Sequence, residues 1–118
     1  MRLLIADDET GITSLLQDQL IDYGYEVDVA DDGERAFNLI QAKDYAFVFL
    51  DHNMPGRTGI EIAKWMKQEK KAAKVVMVTG YPNMKDFFAK ALGVDYYLSK
   101  PFQLEQILDI LQSKGTQD

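Results

Sequence analysis

A carboxylate closes the apolar run Phe47-Val48-Phe49-Leu50, and the chain then turns through His52-Asn53-Met54-Pro55-Gly56. An acid at the mouth of a buried strand is placed for chemistry rather than packing, because a charge taken out of water needs a partner. Asp51 is not alone in this position. Leu3-Leu4-Ile5-Ala6 runs into Asp7-Asp8, Val75-Val76-Met77-Val78 runs into Thr79-Gly80, and Tyr96-Tyr97-Leu98-Ser99 runs into Lys100-Pro101. Three acids, a hydroxyl and an amine therefore stand at the carboxyl ends of four apolar runs. In an open parallel sheet that is the edge where ligands bind.

Three carboxylates in one crevice repel. Two unit charges ~4 Å apart at an effective dielectric near 20 cost about 4 kcal/mol, so a cation must sit among them or one must hold a proton. Hard oxygen donors with room for water suit Mg²⁺, and Lys100 supplies a second positive charge. Such a site is arranged for a phosphoryl group, whose transfer is catalysed by positioning and electrostatic stabilisation. A carboxylate can itself be the nucleophile. Asp51, on the central strand, is the candidate; Asp7 and Asp8 are candidate metal holders, and the Thr79 hydroxyl is a candidate donor to a phosphoryl oxygen.

The elements that must position these groups follow from the alternation of short apolar runs with amphipathic segments, which implies βα units around a parallel sheet. Strands are expected over 2–6, 25–30, 46–50, 74–79 and 95–99, with five helices in the gaps. The first helix carries the stripe Ile12, Leu15, Leu16 and Leu20, expected to dock on the sheet. Asp31-x-x-Glu34 and Thr58-x-x-Glu61 read as capping boxes opening the second and third helices. The fourth presents Met84, Phe87, Phe88 and Ala91; the fifth presents Leu104, Ile107, Leu108 and Leu111. Right-handed crossovers then give a doubly wound five-stranded parallel α/β sheet in the order 2-1-3-4-5, with strands one and three adjacent at the switch point. Asp7, Asp8 and Asp51 become neighbours in that order.

The 118 residues, 47% of them hydrophobic, suit one globular domain over 1–118 with a polar tail near 114–118. Thirteen basic against nineteen acidic residues give a net charge of −6, which argues against direct nucleic-acid binding by electrostatics. The absence of cysteine excludes disulfides, thiolate metal sites and cysteine nucleophiles. No stretch approaches a membrane span or a signal peptide, so a cytoplasmic location with no membrane partner is expected.

Four motifs in order carry a resemblance: Asp7-Asp8; Asp51 with Met54-Pro55 and Gly59 behind it; Thr79-Gly80; and Lys100-Pro101-Phe102. Over residues 2 to about 113 the chain resembles the receiver domains of two-component response regulators, the CheY-like family with its flavodoxin-like fold. The resemblance implies that Asp51 is the phosphoacceptor, taking a phosphoryl group from a sensor histidine kinase or a phosphotransfer protein. It further implies that Asp8, Asp51 and the backbone carbonyl of Asn53 bind Mg²⁺ directly and Asp7 through water, and that Lys100 contacts a phosphoryl oxygen. Thr79 would be drawn inward and Tyr97 would follow as the switch aromatic, changing the surface made by the fourth helix, the fifth strand and the fifth helix. A downstream effector or fused output domain reads that surface, and a homodimer through it is left open. Lys100-Pro101 resembles the family's cis peptide bond. Tyr81, bulky at a position where the family varies, is expected to shield the acyl phosphate from water.

Each motif alone has a plainer reading. An Asp-Asp pair is commonly a solvated turn or cap, Thr79-Gly80 an ordinary strand exit, Lys100 a surface lysine and Tyr97 edge packing. Strand alternation turns His52 away from Asp51, and with no second histidine it is neither phosphodonor nor metal ligand. Trp65 reads as a packed or partly exposed ring, and the lysines from Lys64 to Lys74 as a solvated helix end. Two other functions compete. A Mg²⁺-dependent phosphatase resembling haloacid dehalogenase relatives would need Asp-x-Asp on the first strand, where Asp7-Asp8-Glu9 stands, and Asp51-x-Asn53 also lacks the second acid. An interaction module without phosphorylation is disfavoured because every chemical position is filled. The expected activity is a switch that promotes its own phosphorylation and dephosphorylation, not multiple turnover on an external substrate.

Overall fold

In the computed structural model, which describes residues 1–80 and 94–112, the carboxyl ends of all five strands lie along one edge of a parallel sheet. The strands are β1 (Arg2–Ala6), β2 (Glu26–Ala30), β3 (Phe47–Asp51), β4 (Lys74–Thr79) and β5 (Tyr96–Ser99), in the order β2-β1-β3-β4-β5. Every pairing is parallel, as short apolar strands joined by helical crossovers require. The order expected from the sequence is the order observed. Register places Ala6 beside Leu50, Asp51 beside Val78 and Thr79 beside Ser99, which aligns the functional residues in one row.

The described helices are α1 (Thr10–Asp22), α2 (Gly33–Ala42), α3 (Gly59–Gln68) and α4 (Leu104–Gln112). The helix expected around Met84, Phe87, Phe88 and Ala91, together with Tyr81, lies outside the described residues. The label α4 thus belongs to the element read from sequence as the fifth helix.

Strand alternation divides the core into two layers. Leu4, Ala6, Val48, Leu50, Val75 and Met77 face α2 and α3, meeting Ala36, Ile40, Ile62, Ala63 and Met66. Leu3, Ile5, Phe47, Phe49, Val76, Val78 and Leu98 face the other way, onto Leu16 and Leu20 of α1 and Ile107 and Leu111 of α4. All five residues of β3 are buried. A strand covered on both faces has no polar alternation, and that is why its sequence is a continuous apolar run ended by an acid.

Two local expectations are corrected. Ile12 and Leu15 are not core: they are 45% and 59% exposed, while Thr13, Leu16 and Leu20 form the buried side of α1. Thr13 is tolerated there because its hydroxyl donates to the Thr10 carbonyl at 3.0 Å, leaving no unsatisfied group. The cap of α2 is Asp32 rather than Asp31; its carboxylate accepts from the Arg35 N–H at 2.8 Å, with no reciprocal glutamate. The Thr58–Glu61 capping box of α3 is present in both directions.

Candidate functional site

Alternation fixes which side chains meet at the carboxyl edge. Counting outward from the core layers, Asp7, Asp51 and Lys100 point to the α1 and α4 side, whereas His52 has the opposite parity. Carboxylate oxygens of Asp7, Asp8 and Asp51 lie within 4.8 Å of one another. Asp7 and Asp51 are each 5% exposed, and Asp8 is open to solvent. Two of the three acids are thus held at the interface between core and water, and the third closes the pocket from outside.

The positive charge that such a cluster demands is supplied by Lys100. Its Nζ lies 3.1 Å from Asp51 Oδ2, 3.2 Å from Asp7 Oδ2 and 2.9 Å from Glu9 Oε1. Burial would lower the Lys100 pKa, but hydrogen bonds to Glu9 and Asp51 and the charges of Asp51 and Asp7 outweigh it and hold the ammonium well above its ordinary value. Asp7 moves upward: burial and the neighbouring Asp51 charge outweigh the Glu9 N–H and Lys100, which favour its ionised form. The Lys100-Pro101 peptide is cis, and the Lys100 N–H donates to the Thr79 carbonyl at 2.9 Å, tying the last two strand ends together.

Asp51 Oδ1 accepts from the Asn53 N–H at 3.2 Å, so the loop after β3 folds back over the acid. Gly59 begins α3 against the same strand end; a Cβ there would lie 2.5 Å from the Asp51 carbonyl oxygen and 3.3 Å from Met77 Sδ. Only a residue without a side chain allows that approach. Asp8, Asp51, His52, Asn53, Gly80 and Lys100 line an open cleft of about 400 Å³. Thr79 is buried, and Tyr97 lies half-buried against the α2–α3 layer on the sheet face that alternation also gives to Thr79.

A family model described as the response regulator receiver domain matches residues 3–112. The chain belongs to that family. Among curated relatives, the receiver is 36% identical over 109 residues to the transcriptional regulatory protein TctD of Salmonella typhimurium, covering 91% of this chain and 48% of the relative. It likewise spans about half the length of the regulators DltR of Streptococcus agalactiae and PhoP of Bacillus subtilis. Sporulation initiation phosphotransferase F of Bacillus subtilis is matched over 112 residues at 32% identity, covering 94% of this chain and 90% of the relative. Among solved structures, TrrA of Thermotoga maritima, in complex with Mg²⁺-BeF, superposes with a TM-score of 0.84 at 33% identity, covering 95% of this receiver and 96% of that chain. A receiver from Methanospirillum hungatei gives 0.88 at 28% identity, over 96% and 91% of the two chains.

Among the described residues of the receiver, no helix is long and apolar enough to cross a membrane. Asp7, Asp8, Asp51 and Lys100 are brought to one place, with Asn53 and Thr79 on their flanks. Glu9 is the residue that sequence reasoning passed over. It stands at the N-cap of α1, yet its side chain makes no capping hydrogen bond and reaches across to Lys100 instead. The one clue in the sequence was its place as the third acid of Asp7-Asp8-Glu9.

Proposed function

We propose that this receiver is a phosphorylation-driven switch in which Asp51 accepts a phosphoryl group from a phosphohistidine of a sensor kinase or phosphotransfer protein. The observation that carries the reading is the approach of three carboxylates within 4.8 Å of one another beside the Lys100 ammonium. In the transfer, an Asp51 oxygen forms a bond to phosphorus as the donor's phosphorus–nitrogen bond breaks, and the electron pair of that bond stays on the imidazole. Lys100, already 3.1 Å from Asp51, turns its charge to an oxygen of the transferred group. Three convergent hard oxygen donors fit Mg²⁺; Asp8, Asp51 and the Asn53 carbonyl would hold it directly and Asp7 through water. Bound there, the ion supplies positive charge to the transferring oxygens.

The response is a local charge change acting on a two-state element. Thr79, buried at the end of β4, donates to the new phosphoryl oxygens, and Tyr97 follows into the space it leaves. The surface containing β5 and α4 carries the signal to an effector or to an output domain fused elsewhere. Exposed Ile12 and Leu15 share one groove with Asp7, Glu9, Lys100 and Phe102; its continuity with the phosphoacceptor pocket gives a phosphodonor protein an apolar place to rest. The chain acts as a stoichiometric switch within the cytoplasm.

Mass spectrometry after incubation with acetyl phosphate and Mg²⁺ tests the reading. One phosphoryl group on the native chain and none on Asp51→Asn is the expected result. Equal labelling of Asp51→Asn, or turnover of many equivalents of a phosphomonoester, would overturn it.

A further inference from the structure

The loop that follows Asp51 carries Asn53, and it is fastened at its far end to the start of α2. The Gly33 N–H donates to the Pro55 carbonyl at 2.9 Å. A Cβ on Gly33 would collide with the Arg57 carbonyl oxygen and lie 2.6 Å from the Arg57 nitrogen, backbone atoms that cannot swing aside as a side chain can. Next along the helix, Glu34 pairs with Arg57 Nε at 3.2 Å. The Arg57 guanidinium then lies over Phe37, 3.9 Å from the ring centroid. Gly56, at a φ of +79°, turns the loop against the start of α2, with Glu34 Cγ 3.3 Å from where its Cβ would be.

The loop is therefore pinned twice: Asn53 to Asp51 Oδ1 at 3.2 Å, and Pro55 to Gly33 with Arg57 held by Glu34 and packed against the bare Gly33 Cα. Glycine is a poor helix former, yet Gly33 is the buried first residue of α2. Its missing side chain is what the loop requires. We propose that Gly33 is a positioning residue for the cation site: its bare Cα is the seat that sets where the Asn53 carbonyl stands relative to Asp51. The inference rests on the assignment of that carbonyl to Mg²⁺ in the proposed function. A methyl group at Gly33 displaces Arg57, and the displacement is passed along four residues to Asn53. Partners that orient metal ligands in this indirect way typically change metal affinity 10–100-fold when altered.

The test is a Mg²⁺ titration followed by backbone amide chemical shifts, run on the native chain and on Gly33→Ala. The expected result is a folded Gly33→Ala, with its β1 and β3 amide shifts retained, that binds Mg²⁺ at least about tenfold more weakly. Equal affinity in the folded variant overturns the inference while leaving the proposed function standing. A native chain whose Asp8, Asp51 and Asn53 amides ignore Mg²⁺ overturns the metal assignment itself, and that result appears before any substitution is made. A second measurement needs no variant. Coupling between two equilibria is reciprocal, so saturating Mg²⁺ should slow hydrogen exchange at the Gly33 amide more than at the Lys43 amide, which donates to the Leu39 carbonyl at the other end of α2. Equal slowing at both ends also overturns the inference.

Discussion

Lys100 is one ammonium shared by three carboxylates, and under the proposed function a phosphoryl oxygen on Asp51 would have to compete for it. Glu9 is the competitor that leaves with least disturbance, because its side chain is half exposed, at 52%, while that of Asp51 is almost fully buried. In Glu9→Gln the ammonium is released to the phosphoryl group, so the labelled fraction at fixed acetyl phosphate should rise. The increase should stay below about fivefold, since exposed ion pairs contribute at most about 1 kcal/mol; mass spectrometry of the steady state measures it, an unchanged fraction would remove Glu9 from the site's workings, and a lower one would make it a helper rather than a competitor. Asp7, Asp8, Asp51 and Lys100 were legible in the sequence because each ends an apolar run, and a parallel sheet gathers such ends. Glu9 was not, because its partner is 91 positions away and an acid beginning a helix reads as a cap. Gly33 escaped notice for another reason: what it contributes is an empty volume.

The elements themselves were readable to the extent that burial follows period. Runs of apolar residues gave all five strands within a residue at either end, and Asp51 proved to be the last residue of β3 rather than the first beyond it. Helical stripes gave the existence of α1 but not its orientation. Its apolar residues straddle the buried line, and the centre of that line includes Thr13, whose hydroxyl is satisfied within its own turn. Caps were legible where side chain and backbone reciprocate, as at Thr58 and Glu61, and slipped by one residue in the pair Asp31-Asp32, where either acid would serve. Removing the Thr58 hydroxyl isolates the value of reciprocity. Thr58→Ala should lower the unfolding free energy by ~1 kcal/mol, seen as a reduced urea midpoint at unchanged slope; a loss under about 0.3 kcal/mol would mean that water replaces the cap.

At the scale of the molecule, stability is linked to what the edge of the sheet binds. With Mg²⁺ at a hundredfold its dissociation constant, unfolding should become harder by about 2.7 kcal/mol, and Asp8→Asn should lose most of that gain in a thermal scan with and without the ion. Far from the cleft, Asp28 of β2 is held by Tyr45 Oη at 2.7 Å, Lys43 Nζ at 3.3 Å and Arg2 at 3.6 Å. Burial would raise its pKa, but the hydrogen bonds from Tyr45 and Lys43 and the charges of Lys43 and Arg2 bring it below the ordinary carboxylate value. A depressed carboxyl contributes stability above its unfolded pKa and loses it as pH falls through the folded one, so the native chain's advantage over Asp28→Asn should shrink between about pH 5 and pH 2. Acid unfolding curves that remain parallel would contradict this. Among the described residues the two apolar layers form separate clusters on opposite faces of the sheet, so distant pairs such as Leu16→Ala and Ile62→Ala should add to within about 0.5 kcal/mol. That separation has a practical side. Substitutions in the layer beneath α2 can be chosen for robustness without reshaping the layer beneath α1 and α4, toward which Asp7, Asp51 and Lys100 point, so that hardiness and chemistry become separately adjustable in one small scaffold.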